Sequence, residues 1–151
     1  MIRLTDQPFD PGAALNAFCS GRTEAGAVAS FLGIARRGDG GGLELEAYPG
    51  FTQSEIEAFL RTARDRFTLQ DAAVIHRIGR IAPGEAIVLV LTASAHRREA
   101  FEACDCIMDY LKSRAPLWKR EHGPGGARWV EPTARDLDDA ARWDQATENP
   151  A

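Results

Sequence analysis

Sixteen arginines and only two lysines supply the basic charge of this 151-residue chain, and the two lysines, Lys112 and Lys119, stand seven residues apart. Arginine stays protonated in proteins, whereas lysine becomes a proton donor, acceptor or nucleophile once its surroundings lower its hold on the proton. A chain that uses Arg nearly everywhere yet keeps Lys at two close positions is marked there for amine chemistry; the plain alternative is two solvated lysines. Ser113, Arg114, Pro116, Trp118 and Arg120 lie between and beside them. Seven residues would align both amines on one face of an unbroken helix, but Pro116 disfavours helical geometry in the residue before it. Any convergence of the two must come from the turn.

A second basic cluster, Ser94-Ala-His96-Arg97-Arg98, falls at the start of an expected helix. Free amides and the helix dipole already favour an anion there, so extra cations ask for a phosphate or an acidic neighbour; solvated charge is the alternative. Other reactive types offer less. Cys19, Cys104 and Cys106 are an odd number and make no disulfide framework. Two residues apart on a helix, Cys104 and Cys106 point about 200° from each other and cannot share a metal, so Cys104 reads as core. His76, His96 and His122 lack metal-ligand spacing, and His76 reads as a strand residue with a structural hydrogen bond. No Walker loop, dinucleotide-binding glycine pattern or Gly-x-Ser-x-Gly elbow occurs.

The elements that must position these residues follow from periodicity. Gly26 to Ile34 is an apolar run that reads as a buried strand, ending at Arg36-Arg37 and the glycine-rich loop Gly38 to Gly42, expected to be disordered without ligand. Leu43 to Tyr48 alternates like a half-exposed strand. Thr52-Gln-Ser-Glu55 fits a capping box, and Ile56, Phe59, Leu60, Ala63 and Phe67 give the following helix one apolar face. Ala72 to Ile81 and Ala86 to Thr92 read as strands joined by a hairpin turn at Pro83-Gly84-Glu85. Ser94 is the expected cap of a helix whose stripe is Ala100, Phe101, Cys104, Ile107, Met108 and Leu111 and which ends before Pro116. Short strands are expected at Leu117 to Glu121 and Ala127 to Val130, then a last helix from Thr133. The acids Asp136, Asp138, Asp139 and Asp144 form either a solvated face or a partner contact. The fold class expected is α+β, with a mostly antiparallel sheet and two main helices.

Length and composition bound the function. At 151 residues, 44% hydrophobic and 26% charged, the chain is sized for one domain over 1–151 with a polar tail from about 144. Apolar uncharged runs such as Ala25 to Ala35 and Ala86 to Ala95 fall well short of the roughly 20 residues that span a bilayer. The first residues show no leader pattern, and unpaired cysteines suit a reducing cytoplasm. A net charge of −4 argues against bulk attraction to nucleic acid or anionic lipid. Acidity lies mostly outside His96 to His122, which carries six basic against five acidic side chains.

Several strings together resemble the large, catalytic subunit of molybdopterin synthase. They are Phe31-Leu-Gly-Ile-Ala-Arg36, Glu46-Ala-Tyr-Pro-Gly-Phe51, Val74-Ile-His-Arg-Ile-Gly79, Pro83-Gly-Glu85, Ser94-Ala-His-Arg97, Phe101-Glu-Ala103, the long run Ile107 to Glu121, and Arg128-Trp-Val-Glu131. They occur in the family's order and cover roughly residues 24 to 143. The resemblance implies an α/β-hammerhead fold and a sulfur transfer in molybdenum cofactor synthesis. It implies a homodimer within a heterotetramer, each large subunit binding a small ubiquitin-like sulfur carrier that ends in Gly-Gly. The carrier's thiocarboxylate would deliver sulfur to cyclic pyranopterin monophosphate with no metal or other cofactor. Lys112 matches the family's main catalytic lysine and Lys119 the second, while Ile34, Ala35, Arg36, His96, Arg97, Arg120 and Glu121 match substrate-binding positions. An anionic cyclic phosphate suits arginine, which pairs with phosphate through two parallel hydrogen bonds. The sequence departs from the family pattern at Ile34, where many relatives are polar or basic, and in the glycines after Arg37. Two other readings compete: a non-catalytic module that binds a phosphorylated metabolite or a partner's C-terminal tail in the same cationic pocket, and a nucleic-acid-binding domain, which the acidity disfavours.

Overall fold

A computed structural model describes residues 1–37 and 42–145. In chain order the elements are β1 (Ile2–Thr5), α1 (Pro11–Cys19), β2 (Ala27–Ile34), β3 (Leu43–Ala47), α2 (Pro49–Arg66), β4 (Asp71–Arg77), β5 (Gly79–Ile81), β6 (Ala86–Ser94), α3 (Arg97–Ser113), β7 (Leu117–Gly123), β8 (Gly126–Val130) and α4 (Ala134–Gln145). The strands form two four-stranded sheets, β1-β4-β6-β2 and β5-β3-β7-β8. Every pairing is antiparallel except β1 with β4. This is the α+β, mostly antiparallel architecture expected from the sequence, with α2 and α3 as the two long helices.

The near-continuous apolar runs of β4 and β6 make sense because both faces of the first sheet are covered over these two central strands. On one face Val74, Val88 and Val90 pack with Ile56 and Leu60 of α2 and with Ala103, Ile107 and Leu111 of α3. On the other, Ala73, Ile75, Leu89 and Leu91 meet Leu15 and Phe18 of α1. Ile56, Val74, Val90 and Ile107 are fully buried, and each contributes roughly 1.5–3 kcal/mol of apolar burial. The second sheet has a small core of its own, Leu43, Leu45 and Ile81 with Ala35.

Several local expectations change. The run Gly26 to Ile34, expected as a buried strand, forms the edge strand β2 and leaves Phe31, Leu32 and Ile34 exposed. The first twenty residues hold β1 and α1, which periodicity did not mark; Asp10 caps α1 by accepting the Ala13 N–H at 3.0 Å, with Pro11 in the first turn. The expected strand over 72–81 breaks at Gly79, whose φ of +74° suits glycine alone, and β5 leaves for the second sheet. The Pro83-Gly84-Glu85 turn therefore links two sheets and is no hairpin; β6 pairs with β4 instead. Thr52 is not the cap of α2, which begins at Pro49. It is buried in the first turn, where its hydroxyl accepts the Tyr48 N–H at 3.1 Å and donates to the Pro116 carbonyl at 2.8 Å. Ser94 does not cap α3 either: it closes β6, and His96 takes the cap position without a side-chain bond.

For the site, the decisive feature is register. β2 and β6 pair antiparallel with Ala27 opposite Ser94 and Ile34 opposite Ala86, so the Ile34 and Ser94 ends lie at opposite edges of the sheet. α3 leaves from the Ser94 edge and packs on β6 and β2.

Candidate active site

Lys112 occupies the last turn of α3, where the helix's free carbonyls favour a cation. Its Nζ lies 3.6 Å from Oδ1 of Asp136 at the start of α4, and more than half of the side chain is exposed. Two residues on, Arg114 ends the helix and pairs with Asp144. The chain then turns through Ala115 and Pro116, whose carbonyl the Thr52 hydroxyl holds. β7 follows, with Lys119 opposite Leu45 and Glu121 opposite Leu43. The two lysines thus flank one fastened turn, as the break at Pro116 required, and each has a carboxylate neighbour: Lys119 Nζ lies 3.2 Å from Oε1 of Glu121.

Opposed residues of a sheet share a face, so Lys119 and Glu121 share the face of Leu43 and Leu45. Ala35 packs into that same cluster, which brings the Ile34–Arg36 segment beside the β7 lysine. Ile34 and Arg36 are exposed, and Ala35 is buried. The Ala35 N–H donates to the Glu85 carbonyl at 2.9 Å and its carbonyl accepts from Gly84 at 2.8 Å. Both backbone groups of Ala35 are therefore bonded within the fold, and its buried side chain props the exposed residues on either side. Gly38 to Gly41 of the adjoining loop lie outside the described residues.

Arg120 goes elsewhere. One residue along the pleat from Lys119, it faces the opposite side of the sheet and bonds Glu46 Oε1 at 2.9 Å and Glu44 Oε2 at 3.1 Å. Its guanidinium stacks over the ring of Trp129, directly opposite in β8, at 5.0 Å. His122 Nε2 adds a 2.7 Å contact to the same Glu44 oxygen. The bond from His122 and the charge of Arg120 hold the Glu44 carboxyl below its usual range against the opposing effect of desolvation. One terminal nitrogen of the guanidinium meets both carboxylates while its buried Nε has no partner among the described residues, and the arginine ties β7 to β3 on the face away from Lys119. The signal in the sequence was the alternation Leu43-Glu-Leu-Glu46 set against Lys119-Arg-Glu121.

His96 and Arg97 are exposed at the first turn of α3. Fifteen residues of helix separate Arg97 from Lys112, roughly 22 Å at 1.5 Å per residue. They also lie at the edge of the sheet opposite Ile34. The cations expected to form one pocket therefore do not all meet within a chain: His96 and Arg97 stand at one end of α3 and Lys112 at the other, while Lys119 lies past the Pro116 turn on the strand paired with the Ala35 cluster.

The remaining reactive groups belong to the core. Burial pushes the Cys104 and Cys106 thiols up to about 11, which makes them poor nucleophiles. His76 is buried, its Nδ1 2.8 Å from the Arg77 carbonyl, and desolvation lowers its affinity for a proton. Among the described residues no three His, Cys, Asp or Glu side chains gather as a metal site requires, and no helix is long and apolar enough to cross a membrane. What the sequence did not reveal is Asp136. Of the acids of α4, Asp136 pairs with Lys112, Asp139 with Arg135 and Asp144 with Arg114, the last two pairs at the surface, and Asp138 is exposed.

A family model described as MoaE protein matches residues 4–114. The chain belongs to the MoaE family. It is 65% identical to the molybdopterin synthase catalytic subunit of Caulobacter vibrioides over 147 residues, covering 96% of this chain and 98% of that one. Among solved structures it is similar to the molybdopterin biosynthesis MoaE protein of Burkholderia ambifaria, with a TM-score of 0.82 and 40% identity over 95% of this chain and 97% of the other. A complex of subunits 1 and 2 of the molybdopterin-converting factor from Helicobacter pylori contains a chain of the same fold, with a TM-score of 0.73 and 21% identity over 89% and 91%. The MoaE model match takes in Arg36, His96, Arg97 and Lys112 and stops before Lys119, Glu121 and Asp136, whereas the Caulobacter relative aligns over nearly the whole chain.

Proposed function

We propose that this protein is the catalytic subunit of a molybdopterin synthase, transferring sulfur from a thiocarboxylated carrier protein to cyclic pyranopterin monophosphate to form the dithiolene of molybdopterin. The observation that carries this reading is the placement of the chain's only two lysines on either side of the Pro116 turn, with Lys119 opposite Leu45 in the cluster that holds Ala35. The catalytic-subunit name of its relatives supports it. In this reading Lys112 moves protons as sulfur adds and the cyclic phosphate opens, and Lys119 stabilises developing negative charge. Arg36 binds phosphate from the adjacent strand end.

The partner is a small ubiquitin-like carrier ending in Gly-Gly, whose anionic tail enters the same cationic edge; two-subunit assemblies among the structural neighbours support such a partner. The proposed assembly is a homodimer carrying one carrier per catalytic subunit. About 22 Å from Lys112 in their own chain, His96 and Arg97 serve the second copy's substrate in this arrangement. No metal or resident cofactor is assigned, because sulfur arrives on the carrier, and three free cysteines suit the cytoplasm.

The test is conversion of cyclic pyranopterin monophosphate to molybdopterin by the purified protein with and without thiocarboxylated carrier. Carrier-dependent product is expected, with Lys112→Ala slower by at least about 100-fold. A folded protein that makes no product with a competent carrier, or a Lys112→Ala variant at wild-type rate, would refute the assignment.

A further inference from the structure

The carboxylate beside Lys112 is itself held. Oδ2 of Asp136 accepts the Thr133 N–H at 2.8 Å and the Thr133 hydroxyl at 2.7 Å, while the Thr133 hydroxyl oxygen accepts the Asp136 N–H at 3.2 Å. This reciprocal box at the first turn of α4 orients the carboxylate independently of the lysine and leaves Oδ1 facing Nζ. The Thr133 bonds are the largest cause holding the Asp136 carboxyl below its usual range, so it stands as an anion.

The helix that carries it is fastened as well. Buried Asp109 of α3 accepts from Arg142 at 2.8 Å and from the Trp143 indole N–H at 2.7 Å, and Asp105 takes the same guanidinium at 2.9 Å. Trp143 packs edge-on against Phe67 at 5.8 Å. α4 is thus pinned along α3 by its C-terminal half, which sets its N-terminal turn over the end of α3 where Lys112 lies. Lys119 has no comparable support: Glu121 lies two residues away on the same half-buried strand and also meets Arg128 at 3.4 Å.

We infer that Asp136, braced by Thr133, is the positioning residue for Lys112, holding the amine on the Pro116 side of the helix end. A lysine head on a four-carbon stem samples many rotamers, and a fixed carboxylate restricts them to those that aim at one place. The arrangement is that of a reactive group oriented by a third, itself anchored, residue. The inference rests on the proposed catalytic role of Lys112.

The experiment measures kcat and KM for cyclic pyranopterin monophosphate in the carrier-dependent assay for wild type, Asp136→Asn, Asp136→Glu, Thr133→Ala and Lys112→Ala. Asp136→Asn is expected to lower kcat by about 5- to 20-fold with KM changed less than about twofold, because it keeps the shape but loses the charge. Asp136→Glu restores a carboxylate and is expected within about threefold of wild type; Thr133→Ala, which loosens the brace, loses about two- to fivefold. Thermal melts of each variant confirm folding, and Thr133→Ala carries the test if Asp136→Asn does not fold. A wild-type kcat in both Asp136→Asn and Thr133→Ala, with Lys112→Ala inactive, overturns the positioning role and spares Lys112. A rise in KM at unchanged kcat, or a faster Asp136→Asn, overturns it too. A fully active Lys112→Ala removes the catalytic reading and the positioning role with it.

Discussion

Thr52→Val tests whether the turn between the lysines is held from outside. The substitution keeps the β-branched shape and removes only the hydroxyl of a fully buried side chain. Two hydrogen bonds go: the one accepted from the Tyr48 N–H at the start of α2, and the one donated to the Pro116 carbonyl. Each is worth about 1–1.5 kcal/mol net, and stranding the Tyr48 and Pro116 groups adds desolvation, so about 2–4 kcal/mol is expected. For a chain of this size, at roughly 2–4 °C per kcal/mol, the midpoint should fall by about 4–16 °C. Urea titration followed by far-UV circular dichroism reads the free energy, and the carrier-dependent assay reads the site. Folded Thr52→Val should also be slower than wild type, because the Pro116 carbonyl sets how β7 leaves α3 and so where Lys119 stands relative to Lys112. Thr52→Ser, which keeps the hydroxyl, should recover most of both. A loss below about 0.5 kcal/mol in Thr52→Val would refute the claim that this hydroxyl ties α2 to the turn.

Gly26→Ala should destabilise by about 1–3 kcal/mol or prevent folding, since an added Cβ would stand 2.1 Å from the Ala95 carbonyl oxygen, which belongs to backbone; an unchanged urea midpoint would contradict this. Glu44, Asp71, Glu121, Asp136 and Asp144 all titrate lower when folded, from ordinary values of 4.5 for Glu and 3.8 for Asp. Their contribution is present above those values and is lost as pH falls through the lower folded ones, so stability should be flat from about pH 6 to 8 and decline below about pH 4.5. A denaturation midpoint that rises between pH 5 and 3 would show the sign to be wrong. Of the three cysteines only Cys19 is exposed, and the Cys104 and Cys106 thiols are pushed up to about 11. Native protein at pH 8 should therefore react with a thiol reagent at one fast site, and Cys19→Ser should abolish that phase; two fast sites would mean α3 is not packed as described.

Patterns that depend on near neighbours in the chain were legible. Of the stripe Ala100, Phe101, Cys104, Ile107, Met108 and Leu111, all but the exposed Phe101 face the core, the helix stops ahead of Pro116, and Thr133 opens α4 by a side-chain cap. What misled were residues with two compatible uses. Thr52 with Glu55 has the letters of a capping box, yet Pro49 starts the helix a turn earlier and the hydroxyl goes to a carbonyl 64 residues away. The run over 72–81 has one composition and two destinations, because Gly79 lets the chain leave one sheet for the other. Arg120 and Lys119 are adjacent in a basic string, and the pleat sends them to opposite faces.

The sequence alone determined the chemistry available to this protein: two amines in an arginine background, a proline that forbids a helix between them, and cationic residues able to meet an anion. Those follow from residue type and from spacings of a few residues, which local sterics and hydrogen bonding govern. Only the tertiary structure decided which groups share a site. Strand alternation ties Arg120 to Glu44 and Glu46, the packing of Ala35 on Leu43 and Leu45 brings the end of β2 to the strand opposite Lys119, and the docking of α4 on α3 brings Asp136 to Lys112. Each of these contacts joins residues far apart in the chain, through burial and pairing that no local pattern encodes.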